Sequence, residues 1–134
     1  MHTEHSISPD TMEERLRNAG LRPTRQRMSL GALLFGSGDR HISAEQLHAE
    51  AVRAGVEVSL ATIYNTLNQF TEAGLLREVA VEGHKSYFDT NTSNHFHFFC
   101  ENSAKLLDID TNAIRIEGLP EAPDGKMISR VDVL

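Results

Sequence analysis

The segment that most constrains this chain is S-L-A-T-I-Y-N-T-L-N-Q-F-T-E-A-G, residues 59 to 74. Leu60, Ile63, Leu67 and Phe70 recur at the three- and four-residue spacing of one helix face. Ser59 ahead of them suits an N-cap, because its hydroxyl can accept from the orphan N–H groups of the first turn. Gly74 suits the other end, since glycine takes the left-handed backbone that stops helices. At about 100° per residue, Thr62, Asn65, Gln69 and Glu72 project to the opposite side. An ordinary solvated face mixes lysine and glutamate, whereas this one offers amides and hydroxyls. Asn and Gln pair bidentately with adenine in the DNA major groove, and Thr can touch a thymine methyl.

Other helices precede it. Met12 to Ala19 reads as a short helix ended by Gly20. Thr24 caps a second one that runs to Phe35, with apolar Met28, Ala32, Leu33 and Phe35 ahead of the breaker G-S-G. Ser43 with Gln46 three residues on is a capping-box pattern, opening a helix with Leu47, Ala51 and Ala54 on one face and Gly55 at its end. After Gly74, L-L-R-E-V-A-V-E and K-S-Y-F-D read as two strands joined at Gly83-His84. Helices followed by a hairpin predict a winged helix-turn-helix. Arg22, Arg25 and Arg27 then lie at the start of the second helix, where guanidinium and backbone N–H groups can hold DNA phosphates.

The net charge of -6 over 134 residues argues against a nonspecific nucleic-acid coat, but a sum hides patches. Five arginines and no acid lie between Arg15 and Phe35, while seven acids face four bases over residues 101 to 134. A single cysteine, Cys100, excludes an internal disulfide and a structural four-cysteine zinc. No apolar run nears the roughly 18 residues of a membrane span, and the N-terminus lacks the basic start and apolar core of a signal peptide. A cytoplasmic chain with no membrane partner is expected. His2, His5, His48 and His84 read as solvent-exposed.

Chemistry concentrates in N-H-F-H-F-F-C, residues 94 to 100. As a strand, its side chains alternate, so His95, His97 and Phe99 share one face and Phe96, Phe98 and Cys100 the other. Residues two apart on a strand sit about 6.6 Å apart, near enough for two imidazoles to converge on one ion. The bland reading is imidazoles lining a sheet edge. Against that, burying imidazoles in an otherwise apolar strand requires partners. A metalloenzyme could build a facial triad from these histidines and a carboxylate, yet no candidate base or pocket motif lies near them, so no enzyme is expected. An interaction module without DNA is the third class.

T-N-T-S-N is the best domain boundary, which divides the chain into a winged-helix domain (residues 1–89), a hinge (90–94) and a smaller α/β domain (95–134). In the last part A-K-L-L-D-I-D reads as a second strand, T-N-A-I-R-I-E as a short helix, and K-M-I-S-R-V-D-V-L as a third strand with Ile128, Val131 and Val133. The fold class is α+β.

G-L-R-P-T-R-Q-R, H-I-S-A-E-Q-L, A-T-I-Y-N-T-L and G-H-K-S-Y-F-D, in this order, resemble the ferric uptake regulator (Fur) superfamily over roughly residues 12 to 133. The resemblance implies a homodimeric transcription regulator that binds double-stranded operator DNA, with a C-terminal α/β dimerisation domain. It implies that Tyr64 contacts DNA. It also implies a hinge-proximal metal site from His41, Asp89 (more commonly glutamate), His95 and His97, a nitrogen and oxygen set suited to Fe²⁺, Mn²⁺ or Zn²⁺. Where relatives often carry C-x-x-C this chain reads C-E-N-S, and of the family's second histidine and acid site only Asp108 remains, beside Asn94, Phe96 and Val131. That pattern is similar to the iron response regulator (Irr) branch, which senses haem. It implies haem bound by His95 or His97, with His41 the other candidate, and a haem-delivering partner. The expectation is therefore a regulator of iron or haem metabolism, the alternative being a divalent iron or manganese sensor repressor without haem.

Overall fold

A computed structural model describes residues 7–134; the calls on His2 and His5 lie outside the described residues. The chain forms two compact units, one ending at Thr92 and one running from Ser93 to Leu134.

The first unit holds four helices: α1 (Pro9–Asn18), α2 (Arg25–Phe35), α3 (Ala44–Arg53) and α4 (Leu60–Glu72). Each begins at a hydroxyl. Ser8, Thr24, Ser43 and Ser59 have extended backbones, and their side chains accept from the N–H groups of Thr11, Arg27, Gln46 and Thr62. Such a cap contributes about 1 kcal/mol. Serine followed by Pro9 at the first helical position explains why α1 starts earlier than the expected Met12, since proline's missing N–H costs nothing there. Gly55 and Gly74 follow the last turns of α3 and α4 with φ of +76° and +84°, a conformation glycine enters without Cβ strain.

Three short antiparallel strands complete the unit in the order β1 (His41–Ile42), β3 (Tyr87–Asp89), β2 (Arg77–Val79). The expected hairpin is present but shorter, because only three residues on each side pair. Strand β1 was not foreseen: two residues carry no readable period. It sets His41 opposite Asp89 and Ile42 opposite Phe88.

The core gathers Met12, Leu16, Leu30, Leu34, Ile42, Leu47, Ile63, Leu67, Phe70 and Phe88. Burying a leucine or phenylalanine contributes roughly 1.5–3 kcal/mol, so α4 is held mainly by Ile63, Leu67 and Phe70. The expected stripes shift in detail. In α2 the core takes Leu30 and Leu34, with Met28, Leu33 and Phe35 half-buried and Ala32 exposed; in α3 it takes Ala44 in place of Ala54. Leu60 is exposed and Thr66 buried in α4, because the first turn overhangs the packed surface. Gly31 is where α1 and α2 come closest: a Cβ there would lie 2.7 Å from the Met12 sulfur.

The second unit is a hairpin of β4 (Phe96–Cys100) and β5 (Lys105–Ile109), followed by a single 3-10 turn at Thr111–Ala113. His97 pairs with Asp108 and Phe98 with Leu107. Two expectations fail here. The short helix over 111–117 is only that turn, and residues 126–134 form no strand. The His97 N–H donates to the Val133 carbonyl (3.2 Å), but no ladder forms between the tail and β4 among the described residues. No described helix is long and apolar enough to cross a membrane.

Candidate metal ligands and nucleic-acid face

In the second unit, pleating carries His95 and His97 to one side, as alternation requires. Their rings meet edge to face with centroids 4.5 Å apart. Both Nε2 atoms point at the same carboxylate oxygen, Asp108 Oδ1, at 3.3 Å from His95 and 3.5 Å from His97. The histidines are buried and the aspartate half-exposed. His95 Nδ1 lies 2.7 Å from the Ser93 carbonyl, which can only accept, so Nδ1 carries the proton. In the neutral ring the lone pair then sits on Nε2 and faces Asp108. Two imidazole nitrogens and a carboxylate oxygen, all within 4.8 Å of one another, are a donor set a divalent cation fits. Asp108 is the ligand candidate the sequence reading missed, having placed it in another site. Its signal is the strand register, which no single-chain periodicity reveals. Cys100 is half-exposed and paired with Lys105, four register positions from Phe96 and outside this group.

In the first unit the β1–β3 register sets His41 Nε2 3.2 Å from Asp89 Oδ2. Asp89 is buried, and its other oxygen accepts from the Asn91 N–H at 2.9 Å. The pair is framed by Arg40 and Thr90. Arg40 N–H donates to the Thr90 hydroxyl (2.8 Å), and Thr90 N–H donates to the Arg40 carbonyl (3.0 Å). The Arg40 guanidinium is itself clamped by Glu50. A histidine and a carboxylate held this firmly are a second pair of possible ligands.

The polar face of α4 exposes Ala61, Tyr64, Asn65, Asn68, Gln69 and Glu72. Asn68 was missed, although it lies three residues after Asn65 on the same face. Thr62 is half-buried and bonded to Ser59 (3.0 Å), so it lies at the edge of that face. Tyr64 donates its hydroxyl to Glu45 Oε2 at 2.8 Å. That bond holds the Glu45 carboxyl below its ordinary range and raises the Tyr64 phenol. Arg27 donates to the Gln69 carbonyl oxygen (3.1 Å) and to the Arg22 carbonyl (2.9 Å), so it braces the start of α2 against α4. Arg22 and Arg25 are exposed. His84 is exposed as expected, but His48 is half-buried, its Nε2 3.1 Å from the Val58 carbonyl of the α3–α4 connection.

The profile of the ferric uptake regulator family matches residues 18–122. The chain is 36% identical over 100 residues to the ferric uptake regulation protein of Shigella flexneri, a match spanning 74% of this chain and 68% of that protein. Among solved structures, the Vibrio cholerae ferric uptake regulator aligns with a TM-score of 0.68 and 33% identity, covering 75% of this chain and 78% of that one. The ferric uptake regulator of Pseudomonas aeruginosa with manganese aligns with a TM-score of 0.65 and 28% identity, covering 76% and 77%. With its winged-helix architecture and these relatives, the chain belongs to the ferric uptake regulator family, whose members are transcription regulators and not enzymes.

Proposed function

We propose that this protein is a homodimeric transcription regulator that responds to a divalent metal ion, Fe²⁺ or Mn²⁺, and reads operator DNA with α4. The observation that carries the metal reading is the convergence of His95 Nε2 and His97 Nε2 on Asp108 Oδ1. We further propose that His41 and Asp89 complete the ligand set and that residues around the Thr92–Ser93 junction act as the hinge. This extension rests on the family resemblance and on the chemistry of the two residues. A bound ion supplies fixed positive charge; the chain's own part is to hold the His95 imidazole in the tautomer that offers Nε2 and to set His97 Nε2 and Asp108 Oδ1 beside it. Linking an ion to the reading helix is then a coupling free energy between two sites.

The DNA reading is supported by a helix face of amides and a phenol, flanked by exposed Arg22 and Arg25. Thr62, Tyr64, Asn65, Asn68 and Gln69 are its proposed readers. Arg22, Arg25 and Arg27 are its proposed phosphate contacts, with Arg27 also acting as a brace. The dimer is supported by the apolar surface of the second unit, where Phe98 and Leu107 face each other across the hairpin and remain 60% and 50% exposed.

The haem reading drawn from the Irr resemblance loses its footing. The Shigella flexneri and Vibrio cholerae relatives are named as ferric uptake regulators. No haem-delivering partner is proposed. One titration decides between the signals. Chelator-treated protein receives Mn²⁺ or haemin while binding to a duplex selected from a random pool is followed, with the Soret band recorded alongside. Mn²⁺ should change DNA affinity at least tenfold, and His95→Ala/His97→Ala should abolish the change. A metal response unaltered in that variant rejects the site, and a haemin response carried by the same two histidines restores the haem reading.

A further inference from the structure

Resting on the DNA reading above, one residue of α3 has a role that the reading face itself does not show. Glu45 is exposed near the start of α3, and its carboxylate is divided between two neighbours. Oε2 accepts the Tyr64 hydroxyl at 2.8 Å, and Oε1 lies 4.0 Å from Lys85 Nζ, in the segment between β2 and β3. A phenol has one proton to donate and two lone pairs. With that proton committed to Glu45, the Tyr64 oxygen can meet an outside group only as an acceptor. Phosphate oxygens, guanine O6 and N7 and thymine O4 are themselves acceptors, so none of them makes a hydrogen bond with it. The groups left are the exocyclic amines of adenine (N6) and cytosine (N4), both in the major groove.

An exposed carboxylate next to a DNA-reading residue is costly for affinity. Phosphate charge repels it, and Lys85 offsets only part of that repulsion. Its presence is accounted for if it contributes discrimination instead. The lowered Glu45 and raised Tyr64 protonation behaviour agrees with one shared proton that stays on the phenol.

We infer that Glu45 is a positioning and specificity-determining residue: by taking the Tyr64 hydroxyl proton it fixes the phenol and presents its oxygen to DNA as an obligate acceptor of base amines. Charge and hydrogen bond make different predictions for different substitutions. Glu45→Ala removes both. Glu45→Gln removes the charge, but its carbonyl oxygen can still accept the phenol proton.

The test measures, by fluorescence anisotropy with Mn²⁺-loaded protein, the ratio of affinities for a duplex selected by the wild type and for a scrambled duplex of the same composition. Removing the charge should tighten binding to the scrambled duplex severalfold in both Glu45 variants. The ratio should fall about tenfold in Glu45→Ala and in Tyr64→Phe, fall no further in the double variant, and stay within about twofold of wild type in Glu45→Gln. Replacing single adenines by purine, which lacks the N6 amine, or single cytosines by an analogue lacking N4 should find one position where the wild type loses affinity and Tyr64→Phe does not. An unchanged ratio in Glu45→Ala, additive losses in the double variant, or an equal loss in Glu45→Gln overturns the inference while leaving DNA reading intact. A wild type that selects no sequence overturns both.

Discussion

His95 and His97 share one carboxylate oxygen, and the energetics of that arrangement belong to single side chains. Asp108→Ala should weaken Mn²⁺ binding by about 10–100-fold in a calorimetric titration, the range typical of groups that orient or share a metal site. Cys100→Ser should leave that titration unchanged, because Cys100 stands outside the cluster. The Tyr64–Glu45 bond has a pH signature. Because the folded Glu45 carboxyl is lowered from its ordinary value of 4.5, the bond's stabilisation is complete above that value and is lost as pH falls through the lower folded value. A titration followed on the Glu45 carboxyl carbon by NMR should therefore show a midpoint below 4.5 in the wild type that moves back up in Tyr64→Phe. At this scale the sequence was informative where the chemistry is local. Alternation alone pairs His95 with His97 and separates Cys100. Asp108 was invisible, because its place opposite His97 is set by strand register and the turn between the strands. His48 was misread for a similar reason: its partner is a backbone carbonyl ten residues away.

Elements were readable in proportion to the punctuation around them. Every helix of the first unit carries a hydroxyl cap, and the glycines after α3 and α4 adopt positive φ, so ends as well as existence could be read. Strand β1 was lost, since two residues have no period, and the expected third strand of the second unit failed for want of a partner ladder. Ile128, Val131 and Val133 lie in a segment that forms no strand among the described residues. Packing predictions follow from α4. Phe70→Ala should cost about 3–5 kcal/mol in denaturant unfolding, since the ring is fully buried and stacks on Phe35 at 6.4 Å. Ser59→Ala should cost about 1 kcal/mol by loss of the cap bond to Thr62 N–H, with the reading face otherwise intact.

For the whole molecule, the association state follows from the exposed cross-strand pair. Phe98→Asp should shift the protein from dimer to monomer in light scattering and lower operator affinity, while metal binding at the opposite face of β4 persists. The β1–α3 junction adds a consequence. His41 opens a two-residue strand, Ser43 caps the helix that follows, and Glu45 holds Tyr64 from its first turn. Five consecutive residues thus carry a proposed ion ligand at one end and the anchor of the reading phenol at the other. Ser43 is buried between them, its hydroxyl accepting from the Gln46 N–H. Losing that cap in Ser43→Ala should cost about 1 kcal/mol of stability and loosen both ends together, lowering Mn²⁺ affinity and sequence discrimination in one substitution.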